Sequence, residues 1–150
     1  MLKVDYLVLA DAAAAADGKH YIHGAGWEYL YVASFPVSQP MISVAIRLRI
    51  PWTDTNYHHN LELDVVDADG QSILPHPPGP IRGPITVVRP PTIEVGADQV
   101  ACLVINVMGL EFTRRGAYAV VLRIEGIDAS RAPFRVELHP AMMGETPPQG

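Results

Sequence analysis

The stretch MISVAIRLRI, residues 41–50, puts Ile42, Val44, Ile46, Leu48 and Ile50 on one side of an extended chain and Ser43, Ala45, Arg47 and Arg49 on the other. Strict alternation does not match a helical face, whose repeat is 3.6 residues, and it fits a strand with one face on a core. The pattern recurs in HNLELDVV, where Leu61, Leu63 and Val65 oppose Glu62 and Asp64. It recurs again in AYAVVLRIEG, where Tyr118, Val120, Leu122 and Ile124 oppose Arg123 and Glu125, and FRVEL adds Phe134, Val136 and Leu138. Period two over so much of the chain commits it to sheet.

Other segments supply the remaining strands and the turns between them. QVACLVINV is apolar on both faces and predicts a central strand covered on each side. ITVVR, residues 85–89, is bracketed by Pro84 and Pro90 and predicts an edge strand, because a proline cannot donate to a ladder. DADG at 67–70 and RRG at 114–116 place glycine where a reversing chain needs a positive φ, and IDASRAP is expected to reverse the chain between the last two strands. Asp67 and Asp69 lack the later carboxylates of a calcium loop, so DADG reads as a plain turn.

The run ADAAAAADGKHYIHGAGW, residues 10–27, tests the frame, since alanine is the strongest helix former. Five alanines without caps are too few to nucleate a helix, strand-type residues flank them, and Asp17–Gly18 is a two-residue hairpin signal. Residues 3–16 and 19–24 are therefore expected to form a hairpin, with a single helical turn at 11–16 as the alternative. GAGW is expected to kink the chain and aim Trp27. LPHPPGPIRGP, residues 74–84, can be read as a polyproline ligand or as a stiff loop between sheets, and the loop reading is favoured. The tail from residue 139 to 150 has neither period nor enough apolar residues to dock and is expected to be disordered, leaving a single domain over residues 1–138.

Eight or nine short strands, 14 prolines, 12 glycines and no long helical pattern in 150 residues predict an all-β chain. The expected architecture is one antiparallel β-sandwich, immunoglobulin-like or a related Greek key. GAYAVVLRIEG followed by FRVEL resembles the closing strands of immunoglobulin-like and fibronectin-type modules. VDYLVLADAA, DGK, IHGAGW, IRLRIPWTDTN and LELDVVDADG together resemble a family of small bacterial proteins known as a domain of unknown function. That resemblance implies a compact cytoplasmic β-sandwich and brings no catalytic residues with it.

Composition narrows the functional classes. A net charge of −5 with only two lysines, Lys3 and Lys19, argues against nucleic-acid binding, which needs cations to replace phosphate counterions. The arginines at 47, 49, 114 and 115 are expected on a solvated strand face and a turn. MLKVDYLVLA is a poor signal peptide and too short to span a bilayer, so neither secretion nor a membrane partner is expected and the chain is placed in the cytoplasm. Cys102 is the only cysteine, which excludes an intrachain disulfide, and its apolar surroundings predict a buried, inert thiol.

The six histidines are His20, His23, His58, His59, His76 and His139. His58 and His59 are adjacent and point to opposite faces of a strand, so they cannot easily share a metal. A site assembled from Asp54, His58 and His23 is conceivable, but no spacing requires it, and neither a metal nor a cofactor is expected. HGAGW superficially resembles an oxyanion-hole loop without the GxSxG turn that a serine hydrolase needs. No catalytic residues are assigned.

IPWTDTNYHHN gathers Trp52, Tyr57, His58, His59 and Asn60 between two strands, and these five are the candidate ligand- or partner-binding residues. The competing structural reading makes Trp52 a plug for the core and Asn56 and Asn60 ties for the loop. The expected function is a non-enzymatic interaction or assembly module, a homo-oligomer or one with an unknown protein partner. Small-ligand or carbohydrate binding is the alternative, and a metal-dependent hydrolase is third.

Overall fold

The computed structural model describes residues 1–75 and 79–143. Nine strands form two sheets: β1 (Lys3–Ala16), β2 (Lys19–Ala25), β3 (Tyr29–Val32), β4 (Val37–Ile50), β5 (His58–Val66), β6 (Ile81–Thr86), β7 (Gln99–Phe112), β8 (Gly116–Ile124) and β9 (Ile127–Leu138). The four-stranded sheet has the order β2-β1-β4-β7, and a curled five-stranded sheet has the order β3-β9-β8-β5-β6. Two short 3-10 turns, Trp52–Asp54 and Pro140–Met143, are the helical elements among the described residues.

The alternating residues behave as their periodicity dictates. Ile42, Val44, Ile46, Leu48 and Ile50 from one sheet meet Leu61, Leu63, Val65, Tyr118, Val120, Leu122, Phe134 and Val136 from the other in one buried cluster. One end of it is ring-rich, with Phe112 at 4.9 Å from Tyr118 and 6.0 Å from Phe134 between centroids. Trp27 joins it edge-on to Phe134 at 5.9 Å. The chain reaches Trp27 through Gly24 and Gly26, both at positive φ, and a Cβ on Gly24 would overlap the Asp11 carboxylate.

The alanine run is strand. Asp17 and Gly18 both take positive φ, as a two-residue hairpin turn requires, and Ala16 pairs with Lys19. The hairpin does not lie flat beside β4. Its tip curls across the face of the sheet opposite the core and reaches β7, where the Cys102 thiol lies 3.6 Å from the Gly18 carbonyl oxygen and the His20 ring bonds the Leu103 carbonyl. Ser43 and Ala45, on the β4 face expected to meet solvent, are fully buried in consequence.

Several expectations are corrected. QVACLVINV is not a central strand: β7 is an edge, and its second apolar face is covered in part by the hairpin tip. Cys102 shares that face and is half-exposed instead of buried. The edge strand expected at residues 85–89 begins four residues earlier and ends at Thr86, tolerating Pro84 because its far side carries no ladder. The proline-rich stretch therefore joins β5 to β6 within one sheet instead of linking two sheets, and its residues 76–78 lie outside the described residues. The last reversal occurs at Glu125–Gly126, both at positive φ, so IDASRAP belongs to β9 and is not a turn. The pairing is not antiparallel throughout, since β3 runs parallel to β9. Of the tail expected from residue 139, the His139 amide donates to the Val32 carbonyl at 2.8 Å and a short turn follows to residue 143. Residues 144–150 lie outside the described residues.

Candidate functional site

The loop between β4 and β5 brings its aromatic and polar residues together, largely to serve the loop itself. Arg89 lies 3.6 Å above the Trp52 ring, and its guanidinium donates to the Trp52 carbonyl at 2.7 Å and to Thr55 Oγ1 at 2.9 Å. Asn56, at φ 70°, accepts from the Arg89 amide at 2.9 Å. His59 Nε2 donates to the Asp54 carbonyl at 2.7 Å, which leaves Nδ1 facing Glu125 Oε1 at 3.4 Å. The Glu125 carboxylate also accepts from the Asn60 amide at 3.0 Å.

His58 points the other way, with Nδ1 2.6 Å from Thr86 Oγ1, as adjacent strand residues must. Tyr57 stands out as exposed. Of the five candidates, then, Trp52 and His59 are half-buried in loop-internal bonds, while Tyr57, His58 and Asn60 face solvent. Asp54, His58 and His23 do not come together, and among the described residues no three His, Cys, Asp or Glu side chains converge on a point where an ion could sit.

A second region owes nothing to that loop. Where the free edge of β6 faces the free edge of β7, the two sheets stand apart, leaving an apolar cleft of about 770 Å³. Leu74, Pro80 and Ile81 form one wall, and the segment 106–109 of β7 forms the other. A smaller extension of about 210 Å³ continues between the sheets, reaching the core side chains Leu61, Leu63, Leu103 and Ile105. Arg82 lines both spaces and is held by Glu62 at 2.8 Å. Hydrogen bonds from Arg82 and Arg123 hold the Glu62 carboxyl below the usual glutamate range. Sequence reading missed this cleft, although its two signals were visible: a strand apolar on both faces and a proline-bearing strand.

The outer face of the four-stranded sheet carries one more polar cluster. The Leu103 carbonyl can only accept, so His20 Nε2 carries the proton and Nδ1 accepts from Tyr6 Oη at 2.6 Å. Burial pushes the Tyr6 hydroxyl above its ordinary pKa, with the neighbouring Cys102 adding to the effect. This cluster binds the hairpin tip to β7.

Residues 5–137 match the model of a Family of unknown function (DUF6941). The chain belongs to this family. The matched range takes in both the aromatic loop and the cleft, and the family's description attaches a role to neither. No curated protein matches the sequence. Among solved structures the chain is similar to Pseudomonas fluorescens alkylpurine DNA glycosylase AlkC bound to DNA containing an abasic site analog, at 10% identity and a TM-score of 0.41. That alignment covers 91% of this chain and 30% of the glycosylase chain, so the DUF6941 chain spans less than a third of that protein. Likeness at that level transfers no activity. Among the described residues no helix is long and apolar enough to cross a membrane.

Proposed function

We propose that this chain is a non-enzymatic interaction or assembly module, built as an immunoglobulin-like sandwich whose contact region is the side where β6 and β7 face each other. The observation that carries this reading is the 14-residue edge of β7, standing beside an apolar cleft. A strand edge presents a row of backbone donors and acceptors to any extended chain that approaches it. The sandwich reading is supported by Tyr118, whose hydroxyl donates to the Arg114 carbonyl at 2.6 Å, four residues upstream in the bend that precedes β8. A tyrosine in that position, bonding back to the corner that precedes its strand, is a recurring device of immunoglobulin-like domains. The unpaired, half-exposed Cys102 suits a reducing compartment, and we place the protein in the cytoplasm on that ground. Light scattering over a wide concentration range tests the module reading. Association is the expected result, and a strict monomer at millimolar concentration removes self-assembly.

A second reading, small-ligand binding, is favoured by the volume of the cleft, which falls within the roughly 300–1,000 Å³ typical of ligand sites. It predicts saturable, one-to-one binding of an apolar fluorescent dye that Ile81→Asp abolishes. Binding that survives this change removes the cleft from consideration.

A further inference from the structure

The two sheets end in four edge strands, and three of them carry features that discourage pairing. β3 is only four residues long. β6 contains Arg82 and Pro84, and the proline has no amide proton to give. β2 carries Lys19 at its start and Gly24 at positive φ near its end. β7 is different: it too has a positive-φ glycine near its end, Gly109, but the ten residues before it, Gln99 to Met108, hold no charged residue, no proline and no positive φ. Among the described residues the one side-chain bond to its backbone is that of His20 with the Leu103 carbonyl, an oxygen with a second lone pair to offer.

We infer that two copies of this chain pair through β7, antiparallel and about a two-fold axis at Val104, joining their four-stranded sheets into one of eight strands. The inference rests on the assembly reading and names its partner. An antiparallel pair of identical strands sets residue i against residue j with a constant sum, so any charge on the edge would meet a like charge or an apolar residue at some register. The charge-free run from 99 to 110 removes that obstacle. The register is set by exposure. Val100 and Met108, with 39% and 61% of their surfaces open, are the exposed large apolar residues of β7, and both lie on the face away from the core. They are equidistant from Val104, so a two-fold axis there places each against the other in the partner copy. The same register opposes Leu103 to Ile105, two half-buried residues on the core side.

A charge-swap experiment on the full chain tests both pairing and register. The chain Val100→Glu/Met108→Glu sets like charges opposite each other at two symmetry-related places, and Val100→Glu/Met108→Lys sets opposite charges there. Within one copy the two positions are about 26 Å apart along the strand and do not interact. Both sites are exposed, and circular dichroism with thermal unfolding shows that each variant folds. The wild-type chain is expected to be a dimer by light scattering, the doubly acidic chain to associate about tenfold more weakly or worse, and the mixed-charge chain to recover dimerisation. A wild-type monomer overturns the inference together with self-assembly. A dimer that ignores both charge patterns overturns the β7 interface while leaving assembly standing, and one that both variants weaken equally overturns the register.

Discussion

The two halves of β7 alternate in opposite phase, odd positions facing the core as far as Val107 and even positions after Gly109, at φ 64°, and they end in different surroundings. Near its end, Leu110 and Phe112 are fully buried, with Tyr118 and Phe134 of the opposite sheet packed on the Phe112 ring. Earlier in the same strand Leu103 and Ile105 point the same way and are only half-buried. What differs is the opposing wall. At the ring-rich end β8 and β9 bring large side chains inward, whereas on the open side β6 offers Gly83 and Pro84 and stops after six residues. Periodicity, reset once at Gly109, decides which way a side chain points, and the facing strand decides how much water it loses.

Four substitutions measure that contrast. Phe112→Ala removes a ring from the closed end and is expected to cost about 3–5 kcal/mol in denaturant unfolding, since its neighbours can collapse only partly into the space. Leu103→Ala, on the open side, is expected to cost roughly 1–2 kcal/mol, because less apolar surface is removed from water to begin with. Equal losses at the two positions would mean that the cleft is closed in solution. Tyr118→Phe keeps the ring in the closed end and deletes only its bond to Arg114, with an expected loss of about 1 kcal/mol.

Glu62→Gln, beside the open side, is expected to cost less than about 1 kcal/mol near neutral pH. Its signature is in acid. The folded-state pKa of Glu62 is depressed, so its contribution is fully present above the ordinary glutamate pKa and is lost as pH falls through the lowered folded value. The Gln chain should therefore lose less stability than wild type over that acid range. Parallel pH–stability curves for the two chains would show that the bonds to Arg82 and Arg123 contribute nothing.

The sequence made the direction of the strands legible and their neighbours much less so. Ile42 through Ile50 and Leu61 through Val65 face the core as their spacing requires, and Asp17–Gly18 turns the chain as such a pair should. The double apolarity of β7 suggested burial in mid-sheet. It instead reflects an edge whose second face lies partly beneath a hairpin folded over from the far side of the sheet, a contact between residues more than eighty positions apart. Glu125–Gly126 was hidden because a Gly after a charged residue closes a strand as readily as it opens a turn. For the site, composition drew attention to Trp52, Tyr57, His58, His59 and Asn60. The cleft escaped notice because its two signals, a doubly apolar strand and a proline-bearing one, lie apart in sequence, and only the separation of two sheets joins them.

The hairpin tip has a practical consequence. Its Gly18 carbonyl sits over the chain's only thiol, so Cys102 is a chemical clock for that tip. The half-exposed sulfur reacts with an alkylating reagent at a basal rate, and lifting of the tip, which removes the Gly18 contact, raises that rate. His20→Ala should quicken that clock without touching the sulfur, and Phe112→Ala should quicken it only as far as the whole domain opens.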